Sequence, residues 1–161
     1  MNLQKIIIAI GSKLRKLRTS PVGSMNEIFF IDRCLGNKLA DSLQNAGALV
    51  EIHDAHFSQD INDEDWLRIV GERNWVVLIK DKKIASRPLE LLAVAQSNVR
   101  LFTFVGGEVS GVVVAQAFVN ALENMQRFMR GNQAPFIAKV YQSGLVKPCK
   151  SQKELLKKLS K

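Results

Sequence analysis

Residues 28–52 read IFFIDRCLGNKLADSLQNAGALVEI, and the order of features in that stretch decides the fold. Ile28-Phe29-Phe30-Ile31 is apolar at every position. A strand with one wet face would alternate, so an unbroken apolar run predicts a strand buried on both faces. Leu35, Leu39, Leu43 and Ala46 then recur at helical spacing, and Gly47 stops that helix. Ala48–Ile52 reads as a second strand. A strand, a crossover helix and another strand in this order make a parallel pair.

Outward from this unit the alternation continues. His53–Ile61 is a polar loop. Asn62 caps a helix through Asp63, Glu64, Asp65, Trp66, Leu67 and Val70, with acidic residues in the first turn, where the helix dipole favours them. Trp75–Ile79 is a third strand. Pro88 opens a helix through Leu91, Leu92 and Ala95. Val99–Val105 is a fourth strand, ending at Gly106-Gly107. Val114, Phe118, Leu122, Met125 and Met129 mark a long amphipathic helix, and Phe136–Val140 reads as an edge strand. Ser151 and Glu154 form a capping box before Leu155, Leu156 and Leu159. The sum is an α/β domain, a parallel sheet with helices on both faces.

The chain has 161 residues, 47% apolar and 24% charged. That is one domain's length with an ordinary globular composition, which excludes a disordered, collagenous or disulfide-stapled chain. Cys34 and Cys149 make no framework, and with His53 and His56 they make no zinc motif. Ile6–Ile10 is too short to span a bilayer and is followed by Lys13, Arg15, Lys16 and Arg18 without a cleavage site, so the expectation is a cytoplasmic protein that does not use a membrane. The net charge is +8, unevenly placed. Residues 1–24 hold five basic and no acidic residues, residues 25–146 are close to neutral, and residues 147–161 hold six Lys against one Glu. The organisation expected is a basic extension (1–24) with helical spacing at Leu3, Ile7, Ile10, Leu14 and Leu17, a linker at Thr19-Ser20-Pro21, a domain (25–146) and a Lys-rich tail (147–161). Such basic blocks attract polyanions, although charge runs are often simply solvated.

In parallel α/β sheets the functional crevice lies beyond the carboxyl ends of the strands. Asp32 follows the first strand, Asp81 follows the third, and Asp63 and Glu64 open the helix leading into the third. Clustered carboxylates repel one another unless a cation neutralises them. Oxygen-only donors select Mg²⁺ or Mn²⁺ over Zn²⁺. Such an ion supports in-line phosphodiester hydrolysis without a Ser or Cys nucleophile. Each of these acids is also an ordinary helix-capping residue.

Three segments carry a resemblance. Phe29-Phe30-Ile31-Asp32-Arg33-Cys34-Leu35-Gly36, Asn62-Asp63-Glu64-Asp65-Trp66-Leu67 and Val76-Val77-Leu78-Ile79-Lys80-Asp81-Lys82-Lys83-Ile84 resemble the PIN-like domain family, in particular its VapC-type toxin branch. The resemblance runs in order from Asn26 to Val146, with Pro135–Val140 trailing. It implies a three-layer α/β/α fold with a central, mainly parallel sheet. It also implies a Mg²⁺- or Mn²⁺-dependent endoribonuclease, the toxin of a toxin–antitoxin pair, with RNA as substrate, a cognate antitoxin as partner and often a homodimer. The family's metal-binding and catalytic acids fall on Asp32, on Asp63 (or Glu64) and on Asp81. The Thr usually two residues before the last of these is Ile79 here, and a fourth acid has only Glu108 as a candidate.

Other residues weigh less. Arg33, Lys80 and Lys82, with Lys83 and Arg87, flank the acids and suit substrate phosphates or simple charge balance. Histidines in loops mostly bond locally, and Cys34 has no base beside it, so packing is expected there. Gly106-Gly107-Glu108 reads as a strand–helix turn and lacks a P-loop ending. Trp66 and Trp75 fit packing better than base stacking. Two competing functions stand beside the nuclease: a non-catalytic RNA- or protein-binding module on the same fold, and a phosphoacceptor domain. The second is weak because residues 1–31 offer only Glu27 where paired acids are needed.

Overall fold

The computed structural model describes residues 26–81 and 83–160. Residues 1–24, expected as a basic extension, and Lys82 lie outside them.

Six strands form one sheet: β1 (Ile28–Ile31), β2 (Leu49–Ile52), β3 (Val76–Ile79), β4 (Arg100–Phe104), β5 (Phe136–Val140) and β6 (Val146–Lys150). Their spatial order is β2-β1-β3-β4-β5-β6. All neighbours are parallel except β5 and β6. Four helices connect them, α1 (Gly36–Asn45), α2 (Asp63–Glu72), α3 (Pro88–Gln96) and α4 (Gly111–Gly131), and α5 (Gln152–Leu159) follows β6. The expected three-layer α/β/α arrangement is what the chain adopts.

Alternation along each strand sorts the core into two halves. Phe29, Ile31, Val76, Leu78, Phe102, Phe104, Phe136 and Ala138 face α1 and α4. Phe30, Val77, Ile79, Leu101 and Ile137 face α2, α3 and α5. Two covered faces are why the first run has no polar residue, and β1, β3 and β4 are almost wholly buried. Trp66 is a core residue beside Phe30, with ring centroids 5.4 Å apart, which agrees with its reading as packing.

The carboxyl-terminal region differs from expectation. Phe136–Val140 is not an edge strand, because β6 pairs antiparallel with it, Ala138 opposite Pro148. Pro cannot donate to a ladder and is tolerated at a sheet border. The Lys-rich segment therefore belongs to the sheet and to a helical layer. Ser151 and Glu154 do form the capping box, and Leu155 is fully buried against the cluster that holds α3.

Candidate active site

The chain runs from β1 outward to β2, then returns past β1 to β3. The strand order reverses between β1 and β3, and crevices open at such points. Ile31 pairs with Leu78, and the Asp32 N–H donates to the Leu78 carbonyl at 3.0 Å. Asp32 thus stands directly beyond β1, and Asp81 two residues beyond β3. Both are half-buried. These two acids stand at neighbouring strand ends.

Each carboxylate has a partner. The Cys34 thiol donates to Asp32 Oδ2 at 2.9 Å. Burial, then this hydrogen bond and the Asp32 charge, push the Cys34 thiol up to about 12. Cys34 is therefore a neutral donor to Asp32, a role its sequence position did not reveal. Asp81 Oδ2 meets Arg87 Nη1 at 2.8 Å, and Asp81 Oδ1 accepts the Lys83 N–H at 2.9 Å. The Asp81 N–H donates to Thr103 Oγ1 at 3.1 Å. Thr103 is buried in β4. It supplies beside Asp81 a hydroxyl of the kind that Ile79 lacks, from the next strand instead of the same one. The only sequence signal was a lone polar residue in the apolar run Leu101–Val105.

Asp63 is placed differently. It opens α2, and Trp66 Nε1 donates to its Oδ1 at 2.9 Å. Glu64 sits half-buried in the same first turn. Among the described residues, no group of three His, Cys, Asp or Glu side chains is gathered so as to hold a metal ion.

Two clefts open at this end of the sheet. One, of about 160 Å³, is lined by Asp32, Arg33, Asn37, His53 and Asp54. The other, of about 200 Å³, is lined by Lys80, Asp81, Lys83, Gly107 and Glu108. Glu108, the weakest candidate acid, thus shares a cleft with Asp81. Arg33 Nη1 donates to the Gln59 carbonyl at 2.6 Å, which anchors the guanidinium at the rim of the first cleft. His56 behaves as an ordinary loop histidine, bonding Glu51 Oε2 at 2.7 Å.

The donor set is carboxylate oxygen, the chemistry that Mg²⁺ and Mn²⁺ take. Mg²⁺ keeps several waters and needs only one or two carboxylates. Asp32 and Asp81 are the carboxylates at these strand ends, one on each cleft, whereas a three-carboxylate cage is not gathered among the described side chains.

Fold and site together define a three-layer α/β/α protein with acids and cations at its switch-point crevice. Residues 27–106, which span β1 to the end of β4 and include all five candidate acids except Glu108, match the family model described as a PIN-like domain. No curated protein and no solved structure matched the chain. No described helix is long and apolar enough to cross a membrane.

Proposed function

We propose that the protein is an endoribonuclease that hydrolyses RNA phosphodiester bonds with a carboxylate-held Mg²⁺ or Mn²⁺, acting as the toxin of a toxin–antitoxin pair. The observation that carries this is the placement of Asp32 and Asp81 at the carboxyl ends of adjoining β1 and β3, within a PIN-like domain. PIN-like domains are commonly nucleases. Asp32 and Asp81 would hold the ion, which supplies charge stabilisation at the phosphoryl group and an activated water. Lys80 and Lys83 share the Asp81 cleft and Arg33 lines the Asp32 cleft. They would hold phosphates on either side of the scissile one. Arg87 competes for Asp81, so an incoming ion has to displace that pairing. Asp63 is held by Trp66 in the first turn of α2.

The test is cleavage of mixed cellular RNA by purified protein with Mg²⁺, Mn²⁺ or EDTA, beside Asp32→Ala and Asp81→Ala. Cutting should need the ion and both carboxylates, and expression should arrest growth only when both are present. Metal-dependent cutting retained by both variants would remove the assignment.

A second reading has its own observation. Asp63 and Asp81 are already engaged by Trp66 and Arg87, as in a domain that binds RNA without cutting it. Under that reading RNA binding survives both alanine substitutions, and no condition gives cleavage.

A further inference from the structure

Among the described residues, one buried side-chain nitrogen or oxygen has no hydrogen-bond partner, Nδ1 of His53. The residue is 4% exposed. Its ring is walled by Phe30, Phe57 and Trp66 at centroid distances of 6.0, 5.5 and 6.0 Å. The nearby Asp54 Oδ1 is 3.6 Å from Nδ1, which is too long for a hydrogen bond. A ring nitrogen left unpaired among aromatic side chains is destabilising. A gap of this length between two polar atoms is one that an oxygen from outside can bridge. His53 also lines the cleft that holds Asp32, Arg33, Asn37 and Asp54.

We propose that this cleft is a ribose subsite, in which His53 and Asp54 hold the 2′-hydroxyl of the nucleotide next to Asp32. The inference rests on the ribonuclease reading and adds to it the means of choosing RNA over DNA. A 2′-hydroxyl both donates and accepts. With the proton on Nδ1 it accepts from the histidine ring and donates to the Asp54 carboxylate; without that proton it donates to Nδ1. A deoxyribose offers neither bond and leaves Nδ1 as it stands. The surroundings agree with a nucleotide. Arg33 places a fixed cation on the same cleft for the adjoining phosphate. The Asp81 cleft lies on the β3–β4 side while this one lies on the β1–β2 side. A polymer running along the carboxyl edge of the sheet would therefore meet the Asp32 cleft and the Asp81 cleft in turn.

The experiment is an NMR titration of the whole chain with cytidine 5′-monophosphate and with its 2′-deoxy analogue, without divalent ions. The chain has two histidines, so the His53 ring signals are assigned by their loss in His53→Phe. The ribonucleotide should shift them, with affinity about 3- to 10-fold above the deoxynucleotide, the worth of one hydrogen bond. His53→Phe keeps the aromatic cage, should melt no lower than the parent, and should bind both nucleotides alike. His53→Leu serves where the larger ring does not fit. Equal response to both nucleotides, no response at His53, or discrimination that survives removal of the imidazole would each overturn the subsite. The titration requires no cleavage. A His53 response in a protein that cuts no RNA keeps the subsite and removes the nuclease, and cutting without a His53 response does the reverse.

Discussion

Thr103 is the residue on which the position of Asp81 turns. It gives the Asp81 N–H its acceptor, in a strand whose other central side chains are apolar and buried. Thr103→Val keeps the shape and removes the oxygen, leaving a half-buried donor unpaired. The expected loss is about 1–3 kcal/mol of stability, read by denaturant unfolding. RNA cleavage should fall with it, chiefly in kcat, and Thr103→Ser should restore both. A purely structural Thr103 would lower stability and leave the rate at saturating RNA unchanged. Cys34 makes a second prediction at this scale. Its thiol stands at about 12 against the ordinary 9.0, through burial first and Asp32 second. The folded chain keeps that proton at pH values where the unfolded chain releases it. The stability so gained is complete below about 9 and is lost as pH rises toward about 12. Cys34→Ser should flatten this part of the stability profile relative to the parent. Asp32→Asn should speed alkylation of Cys34 by iodoacetamide, because the carboxylate charge that disfavours the thiolate is gone. An unchanged alkylation rate would mean that burial alone holds the thiol.

At the scale of elements, the strands between two helical layers were legible because burial on both faces leaves unbroken apolar runs. Ile28–Ile31 is the clearest of these. β6 was not legible, since Val146-Lys147-Pro148-Cys149-Lys150 carries two lysines and a proline and offers no apolar rhythm. Only its place at the sheet border makes such a sequence tolerable. The candidate acids were legible for a topological reason, because strand ends in a parallel sheet converge on one edge. Their partners were not. Thr103 and Arg87 reach Asp81 through strand register and through the turn before α3, and Asp63 turns to Trp66 by a side-chain choice that spacing does not dictate. Helix packing yields a prediction whose sign opposes propensity. Gly71 lies inside α2, where Ala is the better helix former by about 1 kcal/mol. A Cβ at Gly71 would lie 2.3 Å from the Ser97 carbonyl oxygen at the end of α3. Gly71→Ala should therefore destabilise by about 1–3 kcal/mol through overpacking, read as a lowered unfolding midpoint. A stabilised variant would mean that α2 and α3 move apart at no cost.

Across the whole molecule, the candidate acids and the carboxyl-terminal lysines lie apart. The acids lie at the carboxyl edge beyond β1 and β3, whereas Lys147, Lys153, Lys157 and Lys158 are exposed on β6 and α5. Lys150 is the lysine there that pairs with an acid, Glu154 at 3.9 Å. Leu155 anchors α5 in the core, so its charged face is held in a fixed direction by the capping box and the packed layer below. Charge reversal at Lys153, Lys157 and Lys158 leaves that anchor and the crevice intact. If these lysines contact phosphates, each contact on a single strand adds about 0.7 to the slope of log affinity against log salt. The triple variant should then bind single-stranded RNA with a slope smaller by about 2, and the difference from the parent should vanish at high salt. Cleavage at saturating RNA should stay at the parent's rate, since no reversed charge lines either cleft. An unchanged slope would make the face a solvated one and would leave Arg33, Lys80 and Lys83 as the cations that meet the substrate. A slope that falls together with the saturated rate would mean that RNA reaches from α5 to the crevice in one bound path, so that the lysines help place the scissile phosphate as well as attract the polymer.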